Sequence, residues 1–97
     1  MQVSEVLKRA IETNGIKHQT EKCVEEVGEL LQAIIKYDHS KGLEETKANL
    51  EHLQEEIADT CIMLEQMKMM YGEAEITKKI LEKADRLNNR LNNAQNL

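Results

Sequence analysis

Apolar residues recur at intervals of three and four through most of the chain, the period of a helix that turns one face toward a neighbour. One row runs Val24, Val27, Leu31 and Ile34, widened by Leu30 and Ile35. A second, Leu50, Leu53, Ile57, Cys61, Leu64 and Met67, keeps near-heptad spacing. Shorter rows flank them: Val6, Leu7, Ala10 and Ile11 before, and Ile76, Ile80, Leu81, Ala84, Leu87 and Leu91 after. Gly15, Gly42 and Gly72 each follow one of these patterns and can close a helix in a left-handed conformation. The pattern therefore predicts four helices. They run from about Val3 to Asn14 with Ser4 as N-cap, from near Gln19 to near Asp38, from Leu43 or Lys47 to Tyr71, and from Glu73 to about Asn92. An Asn, Gln and Ala tail of low helix propensity follows, where fraying is expected.

Composition supports an all-α fold and says something about its size. The chain has no Pro, Phe or Trp and is rich in Leu, Glu, Lys, Ala, Met and Gln. Its 97 residues make one domain, 1–97, too short to bury a large fraction of its own surface. Two long antiparallel core helices with a short leading and a trailing amphipathic helix make half of a larger bundle. Dimerisation, as a homodimer or further to a tetramer, is expected to complete it. The net charge of -5 argues against nonspecific binding of nucleic acid. Residues 1–10 form no apolar run and no segment reaches membrane-spanning length, so a signal peptide and a membrane partner are not expected and a cytoplasmic location is. Cys23 and Cys61 are far apart, without a CxxC or Cys/His cluster. They suggest buried core thiols, not a zinc site or a disulfide.

The candidate chemistry is acidic. Glu25-Glu26-Val27-Gly28-Glu29 and Glu55-Glu56-Ile57-Ala58-Asp59 each place an acid three residues after a double acid. With Val27 and Ile57 taken as the core directions, Glu26 and Glu56 lie roughly 100° off the core, and Glu29 and Asp59 roughly 160° on the same side. Two antiparallel helices repeating this design can bring four carboxylates together. These are hard oxygen ligands suited to Mg²⁺ or Mn²⁺. Acids on adjacent turns repel by roughly 0.2 to 0.5 kcal/mol per pair, which a bound cation would offset. On spacing alone, a solvated acidic face fits about as well.

These blocks resemble the all-α nucleotide pyrophosphohydrolases of the MazG-like superfamily, whose pattern is Glu-Glu-x-x-Glu on one helix and Glu-x-x-Asp on a later one. Residues 25–31 look like the first block and 55–64 like the second. Gln19 and the Lys83, Arg86 and Arg90 spacing are similar to positions in short phage and bacterial members, so the resemblance spans about Gln19 to Leu91. It implies metal ligation and catalysis by Glu26, Glu29, Glu56 and Asp59, with Glu25 and Glu55 as secondary acids. It implies substrate contacts from Gln19, Lys83, Arg86 and Arg90. The implied reaction is Mg²⁺- or Mn²⁺-dependent hydrolysis of a nucleoside triphosphate, ribo or deoxy, to monophosphate and pyrophosphate by water attack at the α,β linkage.

Other residues carry weaker readings. His52, four residues before Glu56, is a surface histidine or a partner to that acid. Met63, Met67, Met69 and Met70 read as adaptable packing. Gly28 costs its helix about 1 kcal/mol relative to Ala, which suggests close approach of a neighbouring helix or ligand. Tyr37 and Tyr71, the only aromatics, are too few for the ring-lined pocket of pyrimidine-binding members. Three rivals remain: a helical dimerisation or interaction module without catalysis, a phosphoribosyl-ATP pyrophosphohydrolase-like enzyme, and a di-iron bundle. The last requires Glu-x-x-His motifs that this sequence lacks.

Overall fold

The computed structural model describes residues 1–95 and is all-helical, with the order α1 (Val3–Asn14), α2 (Ile16–Ser40), α3 (Thr46–Tyr71) and α4 (Glu73–Gln95). Each helix falls where the periodicity predicts it, with ends that differ by a few residues. The cap of α1 is Gln2, without a side-chain bond, so Ser4 lies inside the helix and not at its cap. The α2 helix begins three residues before Gln19 and runs two past Asp38. The α4 helix continues through the Asn-rich stretch to Gln95, and residues 96 and 97 of the expected frayed tail lie outside the described residues. Positive φ angles occur at Gly15, Gly42 and Gly72. Gly72 caps α3 in the left-handed region through its N–H to the Lys68 carbonyl, whereas Gly42 lies in the α2–α3 loop. That loop is closed by the Thr46 hydroxyl, which donates to the carbonyls of Ser40 and Leu43.

The α2 and α3 helices pack along each other as an antiparallel hairpin, and this is the most extensive contact in the chain. Gln19 meets Gln66, while Glu26 meets Glu56, so partners fall in number as residues rise. The seam follows a heptad-like row: Gln19, Cys23, Glu26, Leu30, Ala33, Tyr37 and Ser40 from α2, and Asn49, Leu53, Glu56, Thr60, Met63 and Met67 from α3, all buried or half-buried. Most of the apolar residues expected to make the core are displaced from this seam by one residue, about 100° of helix rotation, while Leu30, Leu53 and Met67 lie in it as expected. Val24 is 69 % exposed, Leu31 58 % and Ile57 46 %, and Val27, Ile34, Ile35, Leu50 and Leu64 are exposed as well. Because the helices are antiparallel, a one-residue step rotates both rows toward the same side. Val24, Val27, Leu31 and Ile34 therefore share a face with Leu50, Ile57 and Leu64. Cys61 lies in this row and is exposed, contrary to its reading as a core thiol, whereas Cys23 is buried.

An amide chain docks α1 against the hairpin. Asn14 Nδ2 donates to Gln19 Oε1 at 3.1 Å, Gln19 Nε2 to Gln66 Oε1 at 2.9 Å, and Gln66 Nε2 to the Leu7 carbonyl at 3.1 Å. Gln66 is 2 % exposed and Leu7 is buried, so the polar bonds and one apolar anchor act together. The α4 helix touches only α3 and buries no residue. The consequence is an open protomer. Its radius of gyration is 17.4 Å, against about 12.5 Å for a compact domain of this length. Its accessible surface is 7672 Å², against roughly 5,700 Å² for a folded monomer of this mass. Among the described residues, no helix is long and apolar enough to cross a membrane.

Candidate metal centre

The seam is unusual in what it buries at its middle. Glu26 and Glu56 are each only 8 % exposed, although burying a carboxylate without a partner is costly. Each is reached by a cationic or titratable side chain four residues earlier on its own helix. Lys22 Nζ lies 3.3 Å from Glu26 Oε1, and His52 Nε2 lies 4.0 Å from Glu56 Oε1. The other oxygens, Glu26 Oε2 and Glu56 Oε2, are buried with no hydrogen-bond partner, as is Thr60 Oγ1 one turn along the seam from Glu56.

Glu29 completes the cluster. One carboxylate oxygen each from Glu26, Glu29 and Glu56 lie within 4.8 Å of one another, two buried and one exposed. The Glu26 charge, then partial desolvation, then the Glu56 charge raise the Glu29 carboxyl above its ordinary 4.5. The Lys22 ammonium is likewise held above 10.5, first by its hydrogen bond to Glu26 and then by the charges of Glu25 and Glu26. Three convergent carboxylates, two with orphaned buried oxygens, fit a hard divalent cation such as Mg²⁺ or Mn²⁺ and suit soft metals poorly.

The residues singled out by sequence thus separate into groups. Glu26, Glu29 and Glu56 come together. Asp59 is exposed and stands outside that three-residue group, on the same flank of the hairpin as Glu29. Glu25 and Glu55 are exposed, Glu25 within 3.9 Å of Lys22. The angular expectation is corrected: Glu26 and Glu56 lie in the seam itself, because the seam is the row one residue before Val27 and Ile57. Gln19 is buried in the amide chain, two turns before Glu26, with both ends of its amide engaged. Lys83, Arg86 and Arg90 are exposed on α4, which has no contact with α2. Tyr71 shares a 2.7 Å hydrogen bond with Thr20, and the Lys41 ammonium sits 5.6 Å from the centre of the Tyr37 ring.

Lys22 and Thr60 were not among the residues expected at the site. Both were within reach of the sequence pattern, since each stands one helical turn from a seam glutamate: Lys22 before Glu26, and Thr60 after Glu56. Gly28 does not mark a close approach within the protomer, for a Cβ built there would meet nothing within 4 Å. The chain matches no family model, no curated protein and no solved structure.

Proposed function

We propose that this protein is a divalent-metal-dependent nucleoside triphosphate pyrophosphohydrolase of MazG-like type, acting as a homodimer. The observation that carries the reading is the convergence of the Glu26, Glu29 and Glu56 carboxylates, the two buried ones each having an oxygen without a hydrogen-bond partner. A solvated acidic face would not bury two carboxylates across a helix seam. An interaction module would leave them unexplained.

In this reading Glu26, Glu29 and Glu56 would hold Mg²⁺ or Mn²⁺, with the exposed Asp59 on the same flank of the hairpin as Glu29. An ion held there would supply Lewis-acid polarisation of the triphosphate oxygens. Glu26 and Glu56 are fixed by burial and by Lys22 and His52, and Glu29 is taken up as the third ligand, which leaves the exposed Asp59 as the acid able to orient the attacking water and accept its proton. Water adds at the α,β linkage, the bridging P–O bond breaks, and monophosphate and pyrophosphate leave. Lys83, Arg86 and Arg90 stand on α4, which has no contact with α2, and take no part at the phosphates in this reading.

Dimerisation follows from the exposed apolar face. The protomer exposes about 2,000 Å² more than a compact chain of its mass, which is the scale that obligate homodimers hide on each subunit. A second copy seated on Val24, Val27, Leu31, Ile34, Leu50, Ile57 and Leu64 would make a four-helix bundle and leave the acidic flank open on the opposite side.

The test is a panel of ribo- and deoxynucleoside triphosphates and phosphoribosyl-ATP with Mg²⁺, resolving monophosphate with pyrophosphate from diphosphate with phosphate. Turnover by the wild type that is lost in Glu56→Gln supports the reading and ranks the substrates. No turnover, together with no Mg²⁺ or Mn²⁺ binding by calorimetry, replaces it with the interaction module.

A further inference from the structure

We propose that α4 is an arm that packs across a second copy of this chain, its apolar stripe on that copy's exposed apolar surface and its basic flank toward that copy's acids. The inference rests on the two-copy association above and is independent of the hydrolysis.

Three observations carry it. The α4 helix runs for 23 residues, touches only α3 and buries nothing, although it is strongly amphipathic. Ile76, Ile80, Ala84, Leu87 and Leu91 fall within an arc of about 80°. Ile80, Leu87 and Leu91 are each more than half exposed. A helix of this kind is stabilised mainly by what covers its apolar face, and within the protomer only Ile76, at its start, is half-covered.

The second observation is charge. Lys79, Lys83, Arg86 and Arg90 line one flank of the same helix, about 40° to 100° from Leu87. Among the described residues none of the four is within ion-pair distance of a carboxylate. Over its whole length α4 carries five basic and four acidic residues, two of the acids, Glu73 and Glu75, in its first turn, whereas residues 16–71 carry six basic and twelve acidic. The basic flank beyond that first turn and a hairpin of net charge -6 are complementary, and like copies can satisfy each other reciprocally.

The third is area. Closing only the hairpin faces would leave α4 extended into water with its leucines bare. The surplus surface noted above includes it. A second copy covers both surfaces in one symmetric assembly.

The experiment follows the association of the full-length protein across a concentration series by light scattering, with circular dichroism to confirm retained helix. Leu87→Asp and Leu91→Asp alter side chains that the protomer leaves exposed, so they spare its own packing. Each is expected to weaken association by roughly tenfold to a hundredfold, while Asn89→Asp, on the opposite side of α4, leaves it unchanged. Leu31→Asp reports on the hairpin face. Loss of association in Leu31→Asp with wild-type association in Leu87→Asp and Leu91→Asp overturns the arm and leaves the dimer standing. A wild type that stays monomeric throughout overturns both.

Discussion

Glu26 and Glu56 face each other across the α2–α3 seam in matching circumstances, each with one oxygen directed to a side chain four residues upstream and the other buried without a partner. The arrangement repeats in position along the two helices: Lys22, Glu26 and Glu29 on α2 correspond to His52, Glu56 and Asp59 on α3, although Asp59 stands outside the converging group. Like charges held this way destabilise the metal-free fold, and a cation between them reverses the sign.

Metal should therefore act as a stabilising ligand. At a free Mn²⁺ or Mg²⁺ concentration about 100 times the dissociation constant, the wild type should gain about 2.7 kcal/mol. Glu56→Gln removes one of the two buried charges and supplies an amide donor. Its metal-free form should be more stable than wild type by about 1 to 2 kcal/mol, and metal should no longer raise its melting temperature. Thermal unfolding with and without metal checks both.

Acidity should work through Glu29. Its carboxyl is held above 4.5 by Glu26 first, so the folded state favours its protonated form. That contribution is fully present below pH 4.5 and is lost as pH rises through the raised value. Metal-free wild type should lose more stability between pH 4.5 and neutrality than Glu29→Gln, as read by denaturant titration. Metal affinity should change in the opposite direction, falling as the pH drops through that value.

The amide chain predicts a local effect. Gln66→Leu removes the bonds to Gln19 and the Leu7 carbonyl and should cost about 1 to 3 kcal/mol. Amide hydrogen exchange should quicken in α1 before it quickens in the α2–α3 hairpin.

Gly28→Ala should do the reverse. A Cβ there meets nothing within the protomer, so the substitution should stabilise α2 by about 1 kcal/mol and leave turnover unchanged. A loss of activity or of association would mean that something approaches Gly28 in the assembled protein.

Much of this was legible in the sequence, and the part that was not has a definite cause. The four helices follow from the 3.6-residue period and from Gly15 and Gly72. Glu26, Glu29 and Glu56 were visible as the repeated acid spacing. What periodicity does not provide is phase. The row Val24, Val27, Leu31, Ile34 and the row Cys23, Glu26, Leu30, Ala33 share one spacing and differ by a single residue, and hydrophobicity alone favours the first as the row that faces the neighbouring helix. The seam instead selects small and polar side chains, Ala33, Thr60 and the paired glutamines, which permit close approach and hydrogen bonding. Cys61 was misjudged for the same reason. The separation of Asp59 from the three converging acids depends on how far each side chain reaches across the seam, and spacing along one helix does not encode that.

The polar character of the seam has a kinetic consequence. Leu7, Cys23, Ala33 and Met63 are the only buried apolar side chains among the described residues, so an isolated chain has little to drive its collapse. Under the dimer reading, most of the apolar surface becomes dry only when two chains meet. Structure would then be acquired in the same bimolecular event as assembly, and refolding would speed up with protein concentration where an independently folding domain would be indifferent to it.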